Sequence, residues 1–221
     1  MLLTQLEQLA IEHFREKRQE QTVALQLNPP HYWVYLGLRI LMEAGGIIRE
    51  NRIAPMAGQV TYKEDGSPVT TTDRNIETLA IKTLALIDKG ISFEGEEFGG
   101  SINVSGTSIA MDPIDGTWAF INRFDTIASS LLVVDNGEPQ LGMVLNPTSG
   151  EIAYGGKTVD GRLLQFSIFG EKIQGMPRPL DKGRPESRLV TVHPNRHGHL
   201  LERVYELWRN TEIHFVRSPG G

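Results

Sequence analysis

The residues with the most chemical potential form one run, Asp112-Pro113-Ile114-Asp115-Gly116-Thr117. It stands between an apolar segment that reads as a strand and a helix expected to begin near Thr117. Two carboxylates flank a proline and precede a glycine. Pro113 restricts the backbone and Gly116 permits dihedrals closed to other residues, so both side chains and the Ile114 carbonyl can be aimed at one point. Hard oxygen donors of this kind suit Mg²⁺ rather than zinc. Gly116, Thr117 and the amides after them lie at a helix N-terminus, a natural seat for an anion such as phosphate. The plainer reading of the same run is a turn, the common use of Asp-Pro and Asp-Gly.

Two further acidic segments lie upstream. Gly95-Glu96-Glu97 ends another short apolar run, and Val69-Thr70-Thr71-Thr72-Asp73 places a carboxylate at a helix start. Taken singly, adjacent acids are usually a solvated surface, and a lone Asp at a helix start is usually an N-cap.

The elements that must position these groups follow from apolar spacing. Leu3, Leu6, Ala10 and Phe14 predict an amphipathic helix over residues 2–19, ended by Asn28-Pro29-Pro30. Leu36, Ile40, Ala44 and Ile47 predict a second helix from Trp33 to Arg49, and Thr61 to Pro68 reads as a mobile polar loop. A helix headed by Asp73 continues through Ile76, Ala80, Leu84 and Ile87, with Gly90 as its stop. Ile91–Phe93 and Ile109–Met111 read as strands that deliver carboxylates at their ends. Ile127 to Tyr154 reads as a meander turning at Asp135-Asn136-Gly137-Glu138 and at Pro147–Gly150. Arg188–Val192 and Ile213–Val216 are expected strands on either side of a helix carrying Leu200, Val204 and Leu207. The order predicts a layered α/β or α+β fold without internal repeat. The expected organisation is one domain over 1–221, with N-terminal helices in 2–50 and a metal-site region in 69–120.

Composition narrows the function classes. The absence of Cys among 221 residues excludes disulfides, thiolate zinc sites, iron–sulfur clusters and a Cys nucleophile, and fits a reducing cytosol. A formal charge of -5 argues against a nucleic-acid partner. The longest apolar run, near Leu131–Val134, is far short of a membrane span, and Glu7 and Glu12 interrupt the first apolar stretch where a secretory leader would need continuity. The expectation is a cytoplasmic protein. An acidic chain with clustered carboxylates also repels a phosphoester until bound cations reverse the local sign.

In this order, Val69 to Asp73, Gly95 to Glu97 and Asp112 to Thr117 resemble the inositol monophosphatase family of Mg²⁺-dependent, lithium-sensitive phosphomonoesterases. That family carries Val-Thr-x-x-Asp, Gly-Glu-Glu and Asp-Pro-Ile/Leu-Asp-Gly-Thr. The similarity runs from about Trp33 to the end, including Arg217-Ser218-Pro219-Gly220. It implies a layered αβαβα sandwich of the inositol monophosphatase/fructose-bisphosphatase type, assembled as a homodimer. It implies two or three Mg²⁺ ions held by Glu96, Asp112, the Ile114 carbonyl and Asp115. Asp73, Thr117 and Glu96 are then the catalytic set that holds the attacking water, and Ile114, Asp115, Gly116 and Thr117 bind the substrate phosphate. The implied reaction is hydrolysis of a small phosphomonoester by metal-activated water.

Two departures from the family pattern are visible. The Trp-Asp segment that supplies one more ligand in the family is absent from these residues, so the expected fold is C-terminally shortened, either by omission of a segment or as a naturally impaired protein. Trp118-Ala119-Phe120 stands where inositol phosphatases more often carry Thr-Asn-Phe, which keeps histidinol phosphate and 3'-phosphoadenosine 5'-phosphate open as substrates. A metal- or anion-binding regulatory protein is the alternative outside the enzyme class. His193, His197 and His199 read as a solvated loop, and Gly155-Gly156-Lys157 as a turn without phosphate-loop spacing.

Overall fold

A computed structural model describes residues 3–16, 27–53, 59–87, 90–165, 178–179, 188–192 and 213–217. Helix α1 (Leu3–Glu16) packs on α2 (His31–Ile53), which in turn packs on α3 (Thr71–Ile87). A short helix, α4 (Thr117–Ile121), follows the hexapeptide's glycine. The main sheet has eight strands in the order β10-β9-β8-β7-β6-β5-β3-β4. They are β3 (Ser92–Gly95), β4 (Gly99–Gly100), β5 (Thr107–Asp115), β6 (Ala128–Asp135), β7 (Glu138–Asn146), β8 (Glu151–Gly156), β9 (Arg162–Gln165) and β10 (Arg178–Pro179).

Helix α2 is the centre of the core. Val34, Tyr35, Leu36, Leu38, Ile40, Leu41 and Met42 are all fully buried, because the helix lies between α1, α3 and strands β6 and β7. From the sheet, Leu131 and Val133 of β6 and Leu141, Met143 and Leu145 of β7 meet it with period-two alternation. Each such side chain contributes about 1.5–3 kcal/mol of burial. Gly37 is the point of closest approach, since a Cβ there would run into the Met143 sulfur.

Glu7, which breaks the apolar pattern of α1, is fully buried rather than solvent-facing. Arg162 donates to both its oxygens, Nε to Oε1 and a terminal nitrogen to Oε2, each at 2.9 Å, and the Tyr154 hydroxyl donates to Oε1. Burial and the Glu7 carboxylate push the Tyr154 phenol up, and the bond to Glu7 raises Arg162. The first helix is thereby tied to β8 and β9.

The meander forms as expected. Asn136 and Gly137 take left-handed φ values of 50° and 77° in a two-residue turn between Asp135 and Glu138, which Asn-Gly accommodates at little cost. Arg188–Val192 (β11) and Ile213–Arg217 (β12) pair in parallel. The helix expected around Leu200–Leu207, the three histidines and Ser218–Gly220 lie outside the described residues.

Three expectations are corrected. Thr61–Pro68 is the end of a hairpin of β1 (Val60–Tyr62) and β2 (Pro68–Thr70) rather than a mobile loop: residues 63–67 form the expected turn, closed by Lys63 N–H donating to Ser67 O at 2.9 Å and Gly66 N–H to Lys63 O at 3.0 Å, but Thr61, Tyr62 and Pro68 are strand. Asp73 lies in the first turn of α3, at the helix start as expected, but the cap is Thr70 rather than Asp73. Strand β5 runs through Asp112–Asp115 instead of ending before it. Pairing with β6 breaks after Asp112↔Ser130 and resumes at Asp115↔Ala128, because Pro113 has no N–H to offer the ladder.

Among the described residues no helix is long and apolar enough to cross a membrane.

Candidate active site

The site is built where β3 ends beside the last residues of β5. They pair in parallel, Ser92↔Ser108 through Gly95↔Met111, and Glu96 N–H extends the ladder by donating to Met111 O at 3.2 Å. The next residue on each strand is acidic, so Glu96 comes beside Asp112. Carboxyl ends of neighbouring parallel strands are the usual place for a binding crevice in such sheets.

Helix α3 brings the third carboxylate. Thr70 is its cap: the hydroxyl accepts from Thr72 N–H at 3.1 Å and Asp73 N–H at 3.4 Å. Asp73 answers, its Oδ2 accepting from Thr70 N–H at 2.9 Å and from the Thr70 hydroxyl. This reciprocal arrangement is a capping box in which Asp73 is the inner partner, not the cap. It leaves Oδ1 facing Thr117, whose hydroxyl lies 3.4 Å away and 3.1 Å from the Ile114 carbonyl. Asp73 is only 1% exposed. Burial pushes its carboxyl up to about 6 against the lowering effect of the Thr70 bonds, and the Glu97 charge adds to the rise.

Asp112 is raised further above the ordinary carboxylate range, by burial first, then by the charge and hydrogen-bonding proximity of Glu96, then by Asp115 and Asp73. Its Oδ1 is buried and has no hydrogen-bond partner among the described residues. Asp115 is exposed at the end of β5. Gly116 follows in the left-handed conformation, φ 90° and ψ 44°, which favours glycine, and a Cβ there would also come tightly, 3.0 Å, against Thr126 O.

Cationic charge reaches the acids from the β1–β2 hairpin. Lys63 Nζ lies 2.9 Å from Glu96 Oε1 and 2.8 Å from Glu97 Oε1. Burial lowers its ammonium, but the bonds to Glu97 and Glu96 prevail and raise it. Neither this lysine nor Glu77 was among the residues singled out from sequence. Glu77, one turn after Asp73 on α3, is fully buried and accepts from Glu97 N–H at 2.7 Å and Phe98 N–H at 2.9 Å. A signal existed: Glu77 is a charge set into the buried stripe of Ile76, Ala80 and Leu84.

The structure therefore brings Asp73, Glu96, Asp112, Ile114, Asp115, Gly116 and Thr117 to one end of the sheet. The donors are hard oxygens, and the orphaned Asp112 oxygen is a buried acceptor lacking a partner, so the set fits Mg²⁺ in kind. Among the described residues, no three His, Cys, Asp or Glu side chains are spaced to hold a metal ion together. Glu96 and Glu97 both pair with Lys63, and Glu96 also stands within hydrogen-bonding proximity of Asp112, where the like charges raise Asp112. The Gly155-Gly156-Lys157 segment is the end of β8 and its turn, with Gly156 N–H donating to Val159 O at 2.9 Å.

The model of the inositol monophosphatase family matches residues 34–218. The chain belongs to that family. Its similarity to a histidinol-phosphatase of Mycobacterium tuberculosis (strain ATCC 25618 / H37Rv) is 37% identity over 89 residues, covering 40% of this chain and 34% of the relative. A histidinol-phosphatase of Chlorobaculum parvum (strain DSM 263 / NCIMB 8327) is 28% identical over 179 residues, covering 73% of this chain and 69% of the relative. The chain thus spans about a third of the first relative's length. Among solved structures, the extragenic suppressor protein suhB from Bartonella henselae superimposes with a TM-score of 0.65 at 19% identity, over 83% of this chain and 69% of that one. The layered fold expected from sequence is that of the inositol monophosphatase family, with its three sequence segments at one end of the sheet.

Proposed function

We propose that this chain supplies the active site of a Mg²⁺-dependent phosphatase for a small phosphomonoester. The observation that carries this reading is the buried Asp112 oxygen without a partner among the described residues, set beside Glu96 and near Asp73 and Asp115. Glu96, Asp112, the Ile114 carbonyl and Asp115 would hold two or three Mg²⁺ ions. When bound, Mg²⁺ supplies positive charge for the phosphate and lowers the pKa of a bound water. Asp73 and Thr117 form the proton-handling pair. The Thr117 hydroxyl, 3.4 Å from Asp73 Oδ1, orients the attacking water, and the buried carboxylate holds that hydroxyl in place. The amides of Gly116 and Thr117 grip the phosphate.

The finer substrate reading is an alcohol phosphate bearing a planar ring, such as histidinol phosphate. Two relatives named histidinol-phosphatase support it. So does the pair of Trp118, which directly follows Thr117, and Phe124, each 43% exposed with ring centroids 5.8 Å apart. The same reading takes the protein as a cytoplasmic, lithium-sensitive homodimer without nucleic-acid or membrane partners.

Phosphate release from histidinol phosphate, inositol 1-phosphate and 3'-phosphoadenosine 5'-phosphate by the purified protein with Mg²⁺ tests this directly. Histidinol phosphate is expected to turn over fastest, with EDTA and Asp115→Asn each lowering the rate by orders of magnitude. Near-normal activity of Asp115→Asn removes the metal assignment. Mg²⁺ binding without release from any ester makes the chain a regulatory binding protein instead.

A further inference from the structure

We propose that Glu77 is a positioning residue for the acidic turn, setting the pose in which Glu96 meets a cation. The inference rests on the metal reading above, but its geometry stands on its own. Glu77 is fully buried on α3 and lies in none of the motif segments, yet both its oxygens are spent on one task. Oε1 accepts from Glu97 N–H at 2.7 Å and Oε2 from Phe98 N–H at 2.9 Å. These are the amides of the turn that joins β3 to β4, immediately after Glu96. A carboxylate accepting two amides is a strong, bidentate clamp, and removing one acceptor leaves a donor unsatisfied.

The clamp has a matching recess. A Cβ on Gly95 would overlap the Glu77 carboxylate, so the glycine before the two acids is the space that this side chain fills. The helix also spaces the parts. Asp73 and Glu77 are four residues apart on one face of α3, so the helix that holds Asp73 against Thr117 also holds the turn carrying Glu96. One rigid element thereby fixes the acids of two strands relative to each other. Outer groups that orient metal ligands typically change affinity or activity by about 10- to 100-fold when replaced.

The test is Glu77→Gln, which keeps the volume but offers one acceptor where two amides need one each. In the metal-free protein, exchange of the Glu97 and Phe98 amides, followed by NMR, is expected to accelerate at least about 10-fold while core amides of α2 stay protected. Mg²⁺ affinity, measured by calorimetry, is expected to fall by about 10- to 100-fold. Gly95→Ala gives an independent variant, since its methyl displaces the same carboxylate. It should reproduce both effects, and a Glu77→Ala/Gly95→Ala double variant should be no worse than Glu77→Ala. Wild-type exchange at both amides in folded Glu77→Gln overturns the proposal. So does wild-type Mg²⁺ affinity in that variant when Glu96→Gln and Asp112→Asn have lost theirs. Should Glu77→Gln not fold, Gly95→Ala decides by the same two readouts. If Glu96→Gln and Asp112→Asn bind Mg²⁺ like wild type, the metal reading fails, and with it this role for Glu77, whatever the amides do.

Discussion

Glu96 stands beside Asp112 because a parallel register carries Gly95 opposite Met111, one residue before each acid. The pairing places two carboxylates from separate strands together, with burial and mutual repulsion raising Asp112. In the metal-free protein this arrangement is costly, and a cation would relieve it.

The first prediction follows from that cost. Asp112→Asn removes one of the like charges without changing shape. Its metal-free form should be more stable than wild type at pH 8, by about 1 kcal/mol. The same variant should lose Mg²⁺-induced stabilisation and almost all turnover. Thermal unfolding in EDTA and in Mg²⁺ measures both, and a destabilised metal-free Asp112→Asn would contradict the electrostatic account.

The pH dependence comes from Asp73. Its folded carboxyl titrates at about 6, above the unfolded value of roughly 3.9. A raised folded value means the native state holds the proton more tightly. The stability from this group is therefore fully present below about pH 4 and is lost as pH rises through about 6. Asp73→Asn does not titrate, so the stability difference between variant and wild type in EDTA should grow in the variant's favour from pH 4 to pH 7. A pH-independent difference in urea midpoints would remove Asp73 as the source.

Lys63 provides a third test. It is the ammonium that Glu96 and Glu97 share in the absence of metal. Lys63→Gln should lower metal-free stability by up to about 1 kcal/mol, the scale of a partly exposed ion pair. It should also enlarge the stabilisation that saturating Mg²⁺ confers, since the cation then replaces a missing charge. An unchanged Mg²⁺-induced shift in melting temperature counts against that exchange of partners.

Thr117 separates chemistry from binding. Its hydroxyl lies near Asp73 Oδ1 and the Ile114 carbonyl, and it is not in the set expected to hold the ion. Thr117→Ala should lower turnover by about 10²- to 10⁴-fold with Mg²⁺ affinity nearly intact, and Thr117→Ser should recover much of the rate. Equal losses in affinity and turnover would place Thr117 among the ligands instead.

Local residue chemistry was enough to read much of this protein. The oxygen donors of Asp112 to Thr117 and of Gly95 to Glu97, and the Asn136-Gly137 turn, could all be recognised because each depends on neighbours within a few positions. The same is true of the apolar periods that make α1, α2 and α3. What sequence could not reveal depends on contacts between distant segments. The β1–β2 hairpin reads as a loop in sequence because its strands are only three residues long and β1 is mostly exposed, so the buried Val69 and Thr70 of β2 have no apolar run around them to mark a strand. The apolar run of β5 stops at Met111, and only the register shift between Asp112 and Asp115 shows that the strand continues through the acids. Lys63 meets Glu96 across 33 residues of chain, and Glu77 meets the turn amides across 20 and 21. Those meetings arise from packing a helix and a hairpin against the ends of two parallel strands, a register that no local pattern encodes.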